Sequence, residues 1–362
     1  MTTTVDDAEP GAVTTTASRP RPHRSLLVFL AKRVAITAGL LLGVTIVTFG
    51  LVTVVPGDPV TANLSDQALN DPATVAAFRE KWGLDQPLYV QYFQYLGNLL
   101  TGDLGISQQT GRTVTDDLLQ YVPATMELAI PTMVLALLIG TGIGMLAAVR
   151  NGRITDQLIR VGALLGLSTP PFWLSLVVLY VFFYQLGLAP NGGRLSTDFS
   201  PPPTVTGMYT VDAALAGQWD VAWDAAQHLV LPVLVLTSLT VAMLVRFVRS
   251  SMLEVLQQDY IRAAYAKGLP ARVVFRRHLL RAGLVPVITV SGLAFASLLS
   301  GTVLVENIFG WPGLGQYAYR SATALDLPAI LGVSLFVALV YTLVNLTVDL
   351  LYGLIDPRIR LS

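Results

Sequence analysis

Six long stretches without a charged residue constrain this chain more than any other feature of its sequence. They cover residues 34–55, 128–149, 161–189, 229–245, 282–305 and 327–348. At about 1.5 Å of rise per residue, helices of these lengths cross or nearly cross the ~30 Å hydrocarbon core of a membrane. The stretches lack the strict alternation of polar and apolar residues that marks the strands of a membrane β-barrel. The sequence therefore predicts an all-α membrane protein with six transmembrane helices.

The positions of the basic residues predict how this bundle is oriented. If the N-terminus is cytoplasmic, the outer segments hold Arg79, Lys81, Arg112, Arg194 and Arg320, so that 18 of the 23 Lys and Arg residues are on the cytoplasmic side. Short cytoplasmic segments of membrane proteins carry such an excess of positive charge. We therefore expect both termini to be cytoplasmic. The first stretch is longer than the core of a signal peptide and ends without a small-residue cleavage site, which predicts a retained span.

The segments between the stretches divide the chain further. Residues 1–25 are rich in Thr, Pro, Ala and Arg without apolar periodicity, which predicts a disordered cytoplasmic tail ahead of a transmembrane domain at 26–362. Residues 56–127 form a large extracytoplasmic segment, and residues 246–281 form the largest cytoplasmic loop. Residues with the spacing of an amphipathic helix follow Pro87: Tyr89, Tyr92, Phe93 and Leu96. That helix would lie at the outer membrane interface or pack on the bundle, and both alternatives are open.

Single residues within and between the stretches allow more specific predictions. Pro170 and Pro171 predict a kink or break in the third stretch, and Asp349, at the cytoplasmic end of the sixth, predicts a structural contact at the interface. Small residues predict close helix packing, for which nucleotide binding is a poor alternative because no strand precedes them. They are Gly39, Gly43, Gly140, Gly142, Gly144, Gly162 and Gly166. Three carboxylates of the second outer segment, residues 190–228, are predicted to be solvated loop charges: Asp212, Asp220 and Asp224.

The sequence contains no motif that would let the chain power transport or catalyse a reaction by itself. None of its three Lys residues stands in a G-x-x-x-x-G-K-[ST] loop, and it has no Cys, no H-E-x-x-H and no G-x-S-x-G. We therefore predict no catalytic residue, no metal site and no cofactor bound by this chain. The stretches contain no carboxylate, and Asp349, just after the sixth, is the nearest case, which argues for an external energy source. Equal numbers of acidic and basic residues, 23 of each, give no reason to expect nucleic acid as a partner.

We expect the stretch from Asp259 to Pro286 to couple the helix bundle to that external energy source. Asp259 is predicted to cap a short helix from Tyr260 to Lys267, which Gly268 would end, and Pro270 suits the first turn of a second helix. Two helices with a break between them make a protruding knob. A helix resting on anionic lipid, or a charge cluster that only fixes topology, are the alternatives.

Several stretches of the chain resemble bacterial ABC-importer permeases, in particular the dipeptide and oligopeptide branch of that family. The cytoplasmic signature loop is matched by Arg262-Ala263-Ala264, Gly268, His278 and Pro286, with Arg262 where other branches have Glu. Further matching stretches are Pro56-Gly57-Asp58-Pro59, Gly102-Asp103-Leu104-Gly105, Pro123-Ala124-Thr125 with Glu127-Leu128, Glu306 to Gly315 (ENIFGWPGLG), Thr206-Gly207-Met208-Tyr209 with Leu215-Ala216-Gly217, and Asp356-Pro357-Arg358. The resemblance covers residues 27 to 360.

The resemblance implies a type I ABC-importer permease fold in the bacterial plasma membrane. It implies a homologous second permease subunit, two ATPase subunits that hold ATP and magnesium, and an extracytoplasmic binding protein that delivers a peptide. The first short helix of the loop would dock into an ATPase cleft. The residues implied in this coupling are Asp259, Arg262, Ala263, Ala264, Lys267 and Gly268, with Ala263 and Ala264 keeping the docking face small and Arg262 and Lys267 available for acidic groups on the ATPase.

Two alternatives to a peptide importer follow from the same residues. Permeases of this kind divide among related cargoes, so a nickel chelate or glutathione could replace the peptide. A self-contained carrier driven by an ion gradient is the other alternative, and it is disfavoured by the scarcity of carboxylates within the stretches.

Overall fold

The computed structural model describes residues 22–54 and 57–355, and this part of the chain is predominantly helical. An isolated antiparallel bridge joins Ile106 and Thr113, and the described residues form no β-sheet. π-Helical segments at Leu179–Gln185 and Val274–Leu279 follow α8 and α12. The α-helices are α1 Pro22–Val54, α2 Pro59–Asn63, α3 Asp66–Leu69, α4 Pro72–Trp82, α5 Leu88–Leu100, α6 Val114–Val149, α7 Ile154–Ser168, α8 Pro171–Val178, α9 Tyr209–Leu215, α10 Trp219–Leu256, α11 Asp259–Ala266, α12 Ala271–Val273, α13 Leu280–Gly283, α14 Val285–Gly301, α15 Val303–Ile308, α16 Leu314–Thr323 and α17 Leu327–Ile355.

Four of these helices are long and apolar enough to cross a membrane. They are α6, α10 and the segments Arg33–Leu51 of α1 and Leu327–Asp349 of α17. The pair α7 and α8, with the π-helical segment that follows, passes the same test together but is bent by 99°. The described residues therefore contain four candidate spans, or five if the bent pair is one span, and the count of six stays a prediction. The all-α prediction is confirmed for the same residues.

Two of the predicted spans are not continuous helices. The stretch 161–189 breaks before Pro171, the first residue of α8, because prolines lack the amide hydrogen that continues a helix and force the preceding residue out of helical geometry. This confirms the effect predicted for Pro170 and Pro171. The stretch 282–305 is divided among α13, α14 and α15, and its continuous apolar part runs from Pro286 to Leu299.

Other predicted boundaries differ because an apolar run marks the part of a helix in hydrocarbon and not the ends of the helix. The stretches 128–149 and 229–245 lie inside the longer helices α6 and α10. Thr113 begins α6 by accepting the amide hydrogen of Asp116 on its side chain. Helix α1 begins at Pro22, so residues 22–25 are not part of a disordered tail. The remaining tail, residues 1–21, and the motif at 356–358 lie outside the described residues.

Glycines bring α6 close to α10 at the centre of the bundle. A Cβ on Gly140 would lie 2.8 Å from the Cβ of Leu244, and one on Gly144 would lie 2.7 Å from the Cβ of Val248. Gly166 of α7 approaches Ala242 in the same way. The packing role predicted for these three residues is confirmed. It is wrong, among the residues that the structure describes, for four others whose Cβ would meet nothing within 4 Å: Gly39, Gly43, Gly142 and Gly162.

Ion pairs join the helices near the predicted cytoplasmic end. Arg249 of α10 donates from Nε to Asp156 Oδ1 at 2.6 Å and from Nη2 to Asp156 Oδ2 at 2.9 Å, and Nη2 also reaches the side chain of Asn151. Arg33 of α1 pairs with Asp349 of α17 at 2.6 Å. Asp349 therefore makes the structural contact that its position predicts.

The segment between α1 and α6 is built from four short helices. Helix α5 confirms the helix predicted after Pro87. Its Tyr92 stacks edge-on against Phe49 of α1 and shares a hydrogen bond with Thr45 at 3.0 Å. Leu88, Tyr89, Phe93 and Leu100 of α5 are exposed. One face of α5 thus packs on the bundle while another presents apolar side chains outward.

The prediction that the second outer segment holds only solvated carboxylates is wrong for Asp212. Its side chain is 1% exposed and accepts amide hydrogens from Val205, Thr206 and Gly207 and the hydroxyl of Thr206. It is also wrong for Asp224, which lies in α10, has a side chain only 13% exposed and accepts hydrogen bonds from the hydroxyl and the amide of Ser196, whereas Asp220 is exposed as predicted. A loop that folds back on a carboxylate buries it, which composition alone does not reveal.

Candidate functional site

Helix α11 projects from the end of α10 and forms the predicted knob with α12. The N-terminal cap of α11 is Gln258, which makes no side-chain capping bond, so the prediction that Asp259 is the cap is wrong. Asp259 is the first helical residue and pairs with Arg262 at 3.3 Å, where both side chains are exposed. A surface pair of this kind contributes about 0–1 kcal/mol. The carboxylate still lies at the positive end of the helix, where it is favourable.

Gly268 ends this helix as predicted, but the last helical residue is Ala266 and Lys267 is the cap, so the predicted range Tyr260–Lys267 is shifted by one residue at each end. Gly268 has φ of +77°, a left-handed conformation that glycine adopts without steric cost. Its amide donates to the carbonyl of Tyr265 at 2.9 Å, and that of Leu269 donates to the carbonyl of Ala264 at 3.3 Å. These two bonds are those of a Schellman cap. Pro270 precedes α12 as its cap residue, one position before the first turn predicted for it.

The two alanines of the knob lie on different faces of α11. Ala264 is 6% exposed and packs with Ile261 and Val274, against partly buried Val255 and Leu256. Ala263 is exposed, as are Arg262 and Lys267. The small side chain of Ala264 therefore lets α11 approach its own base, and only Ala263 keeps the outward face small. The outward face of the knob, formed by Tyr260, Arg262, Ala263 and Lys267, is exposed among the described residues.

At the opposite end of the bundle, the stretch Glu306 to Gly315 folds around one buried carboxylate. Glu306 Oε1 accepts hydrogen bonds from the hydroxyls of Thr125 at 2.8 Å and Thr302 at 2.7 Å, and its Oε2 accepts the amide hydrogen of Gln316 at 2.8 Å. Gln316 is in the first turn of α16, so Glu306 occupies the positive end of that helix. A Cβ on Gly313 would collide with the Glu306 side chain, which explains glycine at that position.

The same stretch is fastened to the start of α6. The indole of Trp311, which is 1% exposed, donates to the carbonyl of Ala124 at 2.8 Å. Thr125 accepts the amide hydrogen of Leu314 at 2.7 Å while its hydroxyl donates to Glu306. The matching stretches at 123–128 and 306–315, far apart in the chain, thus form one contact.

A buried ion pair adds the second outer segment to this contact. Arg194 donates from Nη2 to Glu127 Oε2 at 2.6 Å and to the carbonyl of Gly207 at 2.7 Å. Its guanidinium lies 3.7 Å from the ring centroid of Tyr209. Glu127 Oε1 accepts both the amide and the hydroxyl of Thr210, at 2.7 and 2.8 Å. The two charged side chains are only 7% and 3% exposed.

Two further carboxylates hold the first outer segment. Asp326 Oδ2 accepts the hydroxyl of Ser107 at 2.5 Å and the amide of Gln109 at 3.0 Å, next to the start of α17. Asp117 accepts hydrogen bonds from the hydroxyls of Thr110 and Tyr317. Five of the six buried carboxylates of the described residues, all but Asp156, form what we call the outer polar cluster, after the segments predicted to be extracytoplasmic: Asp117, Glu127, Asp212, Glu306 and Asp326.

The outer polar cluster was not predicted from the sequence. Its residues lie in or beside the stretches singled out for their resemblance, but no pairing between them was assigned. A usable signal existed, because Glu127 and Glu306 are isolated acids at the edges of long apolar stretches, where an unpaired charge is costly. Within the described part of the chain, no group of three or more His, Cys, Asp or Glu residues could hold a metal ion.

Comparison with known proteins assigns most of the chain to one kind of protein. Residues 140–361 match the family described as binding-protein-dependent transport system inner membrane component, and residues 26–129 match the N-terminal family of such membrane components. The probable D,D-dipeptide transport system permease protein DdpB of Escherichia coli is 47% identical over 88% of this chain and 93% of its own. The dipeptide transport system permease protein DppB of Alkalihalophilus pseudofirmus is 40% identical over 92% of this chain and 100% of its own. The di/tripeptide transport system permease protein DppB of Pseudomonas aeruginosa is 42% identical over 92% and 99%.

Proposed function

Because the chain belongs to the family of inner membrane components of binding-protein-dependent transport systems, we propose that it is a permease subunit of an ATP-driven importer of dipeptides and other short peptides. The observation that carries the proposal is the similarity, over about nine-tenths of the chain, to three permeases whose names specify dipeptides or tripeptides. The family match also supports a multi-pass protein of the inner membrane. In this proposal the chain forms half of the translocation pathway and binds no cofactor of its own.

The proposed partners are a homologous second permease subunit, two ATPase subunits that bind and hydrolyse ATP, and an extracytoplasmic binding protein. Six spans, cytoplasmic termini and an extracytoplasmic segment at 56–127 belong to the same proposal. The excess of Arg and Lys in the segments assigned to the cytoplasm supports this orientation. All carboxylates of the outer polar cluster are hydrogen-bonded. Such bonds make the surrounding loops rigid, as a surface that receives a binding protein requires.

The coupling role is assigned to the outward face of the knob. Arg262 and Lys267 supply positive charge that an acidic cleft on an ATPase would complement, and Ala263 leaves room for close approach. Asp259 orients Arg262 through their exposed pair. Gly268 fixes where α11 ends, because its left-handed backbone allows the chain to turn toward Pro270.

The function is tested by reconstituting the chain with the second permease and the two ATPases in lipid vesicles. We expect uptake of labelled dialanine that requires ATP, a binding protein and both permeases. Uptake driven by an ion gradient without ATP would contradict the proposal in favour of a self-contained carrier. ATP-driven uptake of a nickel chelate or glutathione, without uptake of dialanine, would support an ATP-driven importer and contradict the peptide cargo.

The coupling role is tested by Gly268→Asp in the same complex. A non-glycine residue in the left-handed region costs about 1–2 kcal/mol, and the added carboxylate opposes an acidic cleft. We expect at least a roughly tenfold loss of peptide-stimulated ATP hydrolysis. Gly217→Asp is the matched control, since Gly217 has φ of +70° and, like Gly268, open space around its Cβ position, but lies in the second outer segment. Equal activities of the two variants would refute the coupling role.

A further inference from the structure

A cavity in the predicted outer part of the chain has the features of a ligand site. It lies between α4, α5, the loop after α5 and the start of α17, and its volume is about 310 Å³. Ligand sites in proteins are typically about 300–1,000 Å³, so this cavity is of the size that receives a small molecule.

One face of α5 lines this cavity with hydrogen-bonding groups. Gln91, Gln94, Tyr95 and Asn98 recur at helical spacing and all contribute to the wall. The hydroxyl of Tyr95 is buried and has no hydrogen-bond partner in the structure. Burial raises the pKa of Tyr95, so its hydroxyl keeps its proton and can donate. The Tyr95 hydroxyl has almost no accessible surface, so the polar side chains of this face that are open to a ligand are Gln94 and Asn98, which are exposed.

Opposite charges stand at the two ends of this face. Gln91 donates to the carbonyl of Leu84, which places the end of α4, with Lys81, beside the first turns of α5. The amide of Asp103 donates to the carbonyl of Asn98, which places Asp103 at the last turn. Both charged residues line the cavity and are exposed. Asp103 Oδ1 accepts the amide hydrogen of Gly105 at 2.8 Å, and Lys81 Nζ lies 5.1 Å from the centroid of the Trp82 ring, so each keeps capacity for a further charged partner. The dipole of α5 adds to this polarity, positive near Lys81 and negative near Asp103.

The length of the face sets the size of the ligand. Gln91 and Asn98 are seven residues apart on α5, which is about 10 Å along the helix axis. An extended peptide advances about 3.3–3.6 Å per residue, so about three residues span that length. The side of the cavity formed by the start of α17 is apolar and suits small side chains, with Pro328 and Leu331 among its residues.

We propose that this cavity binds a short peptide with free termini, with its carboxylate toward Lys81 and its ammonium group toward Asp103. The site would hold cargo at the outer face in addition to any site in the translocation pathway. This inference rests on the proposed function for its ligand class, and on the cavity for its location and polarity.

The test uses the purified full chain in lipid nanodiscs without partners, and trialanine as the probe, with binding followed by ligand-observed NMR. We expect trialanine to bind more tightly than alanine. N-acetylation of the peptide should weaken binding about tenfold to the unmodified chain, and should not weaken binding to Asp103→Asn. C-terminal amidation of the peptide should likewise weaken binding about tenfold to the unmodified chain, and should not weaken binding to Lys81→Gln. Glu80→Gln, which removes a neighbouring charge outside the cavity, is the matched control and should bind as the unmodified chain does.

Two results would overturn the inference without touching the proposed function. One is no binding of trialanine to the chain at roughly 10 mM while the full complex imports it with ATP. The other is equal binding of free and blocked peptides. Loss of ATP-driven uptake by the complex would instead contradict the proposed function, whatever the chain alone binds. Because the blocked peptides are tested on the unmodified chain, the result does not depend on variants that fail to fold.

Discussion

The buried pair between Arg194 and Glu127 gives the sharpest prediction about stability. We expect Arg194→Met to destabilise the protein far more than Arg79→Met. Arg79 pairs with Asp58 at 2.6 Å, the same distance as in the buried pair, but the side chains are 38% and 39% exposed in the first case and 7% and 3% in the second. The two pairs thus have the same shortest distance and differ in burial, and Arg194 also binds Gly207 and lies over Tyr209.

The size of the effect follows from what each substitution leaves behind. Arg194→Met removes two hydrogen bonds from Glu127 Oε2 and leaves its charge buried, with only Thr210 still donating to Oε1. Removing one partner of a buried pair costs about 3–5 kcal/mol. The exposed pair of Arg79 contributes about 0–1 kcal/mol, because water replaces the lost partner.

A double-variant cycle tests the reason for the effect. Glu127→Gln combined with Arg194→Met removes both charges, so we expect the double variant to be more stable than the sum of the single effects predicts, by about 1–3 kcal/mol. The measurement is the free energy of unfolding in mixed micelles, followed by circular dichroism. Additive effects within about 0.5 kcal/mol, or equal costs for Arg194→Met and Arg79→Met, would refute the reasoning.

Two further predictions concern packing and pH. Gly140→Ala should lower the free energy of unfolding by about 1–3 kcal/mol, since its Cβ would meet Leu244 at 2.8 Å, whereas Gly142→Ala, with nothing within 4 Å, should not destabilise; equal destabilisation by the two variants would contradict it. Burial acts to raise the pKa of Asp212, but the hydrogen bonds from Thr206 and neighbouring amides outweigh it, so the net pKa is lowered. The stabilisation by Asp212 should be complete above about pH 4 and be lost as the pH falls through the lowered pKa, so the stability difference from Asp212→Asn should shrink in acid; a difference independent of pH would contradict this.

The helices could be predicted wherever a local rule governs them. Gly268 ends α11 as predicted because the left-handed cap depends on that one residue type. Pro170 and Pro171 break the third stretch because proline removes an amide donor at a known position. The position of the cap at Gln258 was missed, since Asp259 is the better capping residue by composition and the backbone path from α10 decides which residue is used.

The outer polar cluster could not be predicted because its bonds join distant parts of the chain. Glu306 is 181 residues from Thr125, and Asp326 is 219 residues from Ser107. Neither periodicity nor spacing carries information about such pairs. The prediction for Asp212 is wrong for a different reason. Its hydrogen-bond partners are close in sequence, but they reach its carboxylate only because the chain turns at Gly207, where φ is +81°.

Different interactions hold the two ends of the helix bundle, the one with the outer polar cluster and the one with the knob, and this difference bears on the proposed coupling. The outer polar cluster uses directional hydrogen bonds to buried carboxylates, which specify one arrangement and make each loop costly to displace. Helix α11 is held by nonpolar contacts of Ile261 and Ala264, which constrain orientation weakly. Helix α10 connects the two ends, since its 38 residues run from beside the second outer segment to the residues that precede α11, about 57 Å. A movement of α10 would therefore displace the hydrogen-bonded outer loops with it, whereas the knob can change its orientation on α10 at a smaller cost, so a substitution within the cluster should alter stability before it alters coupling.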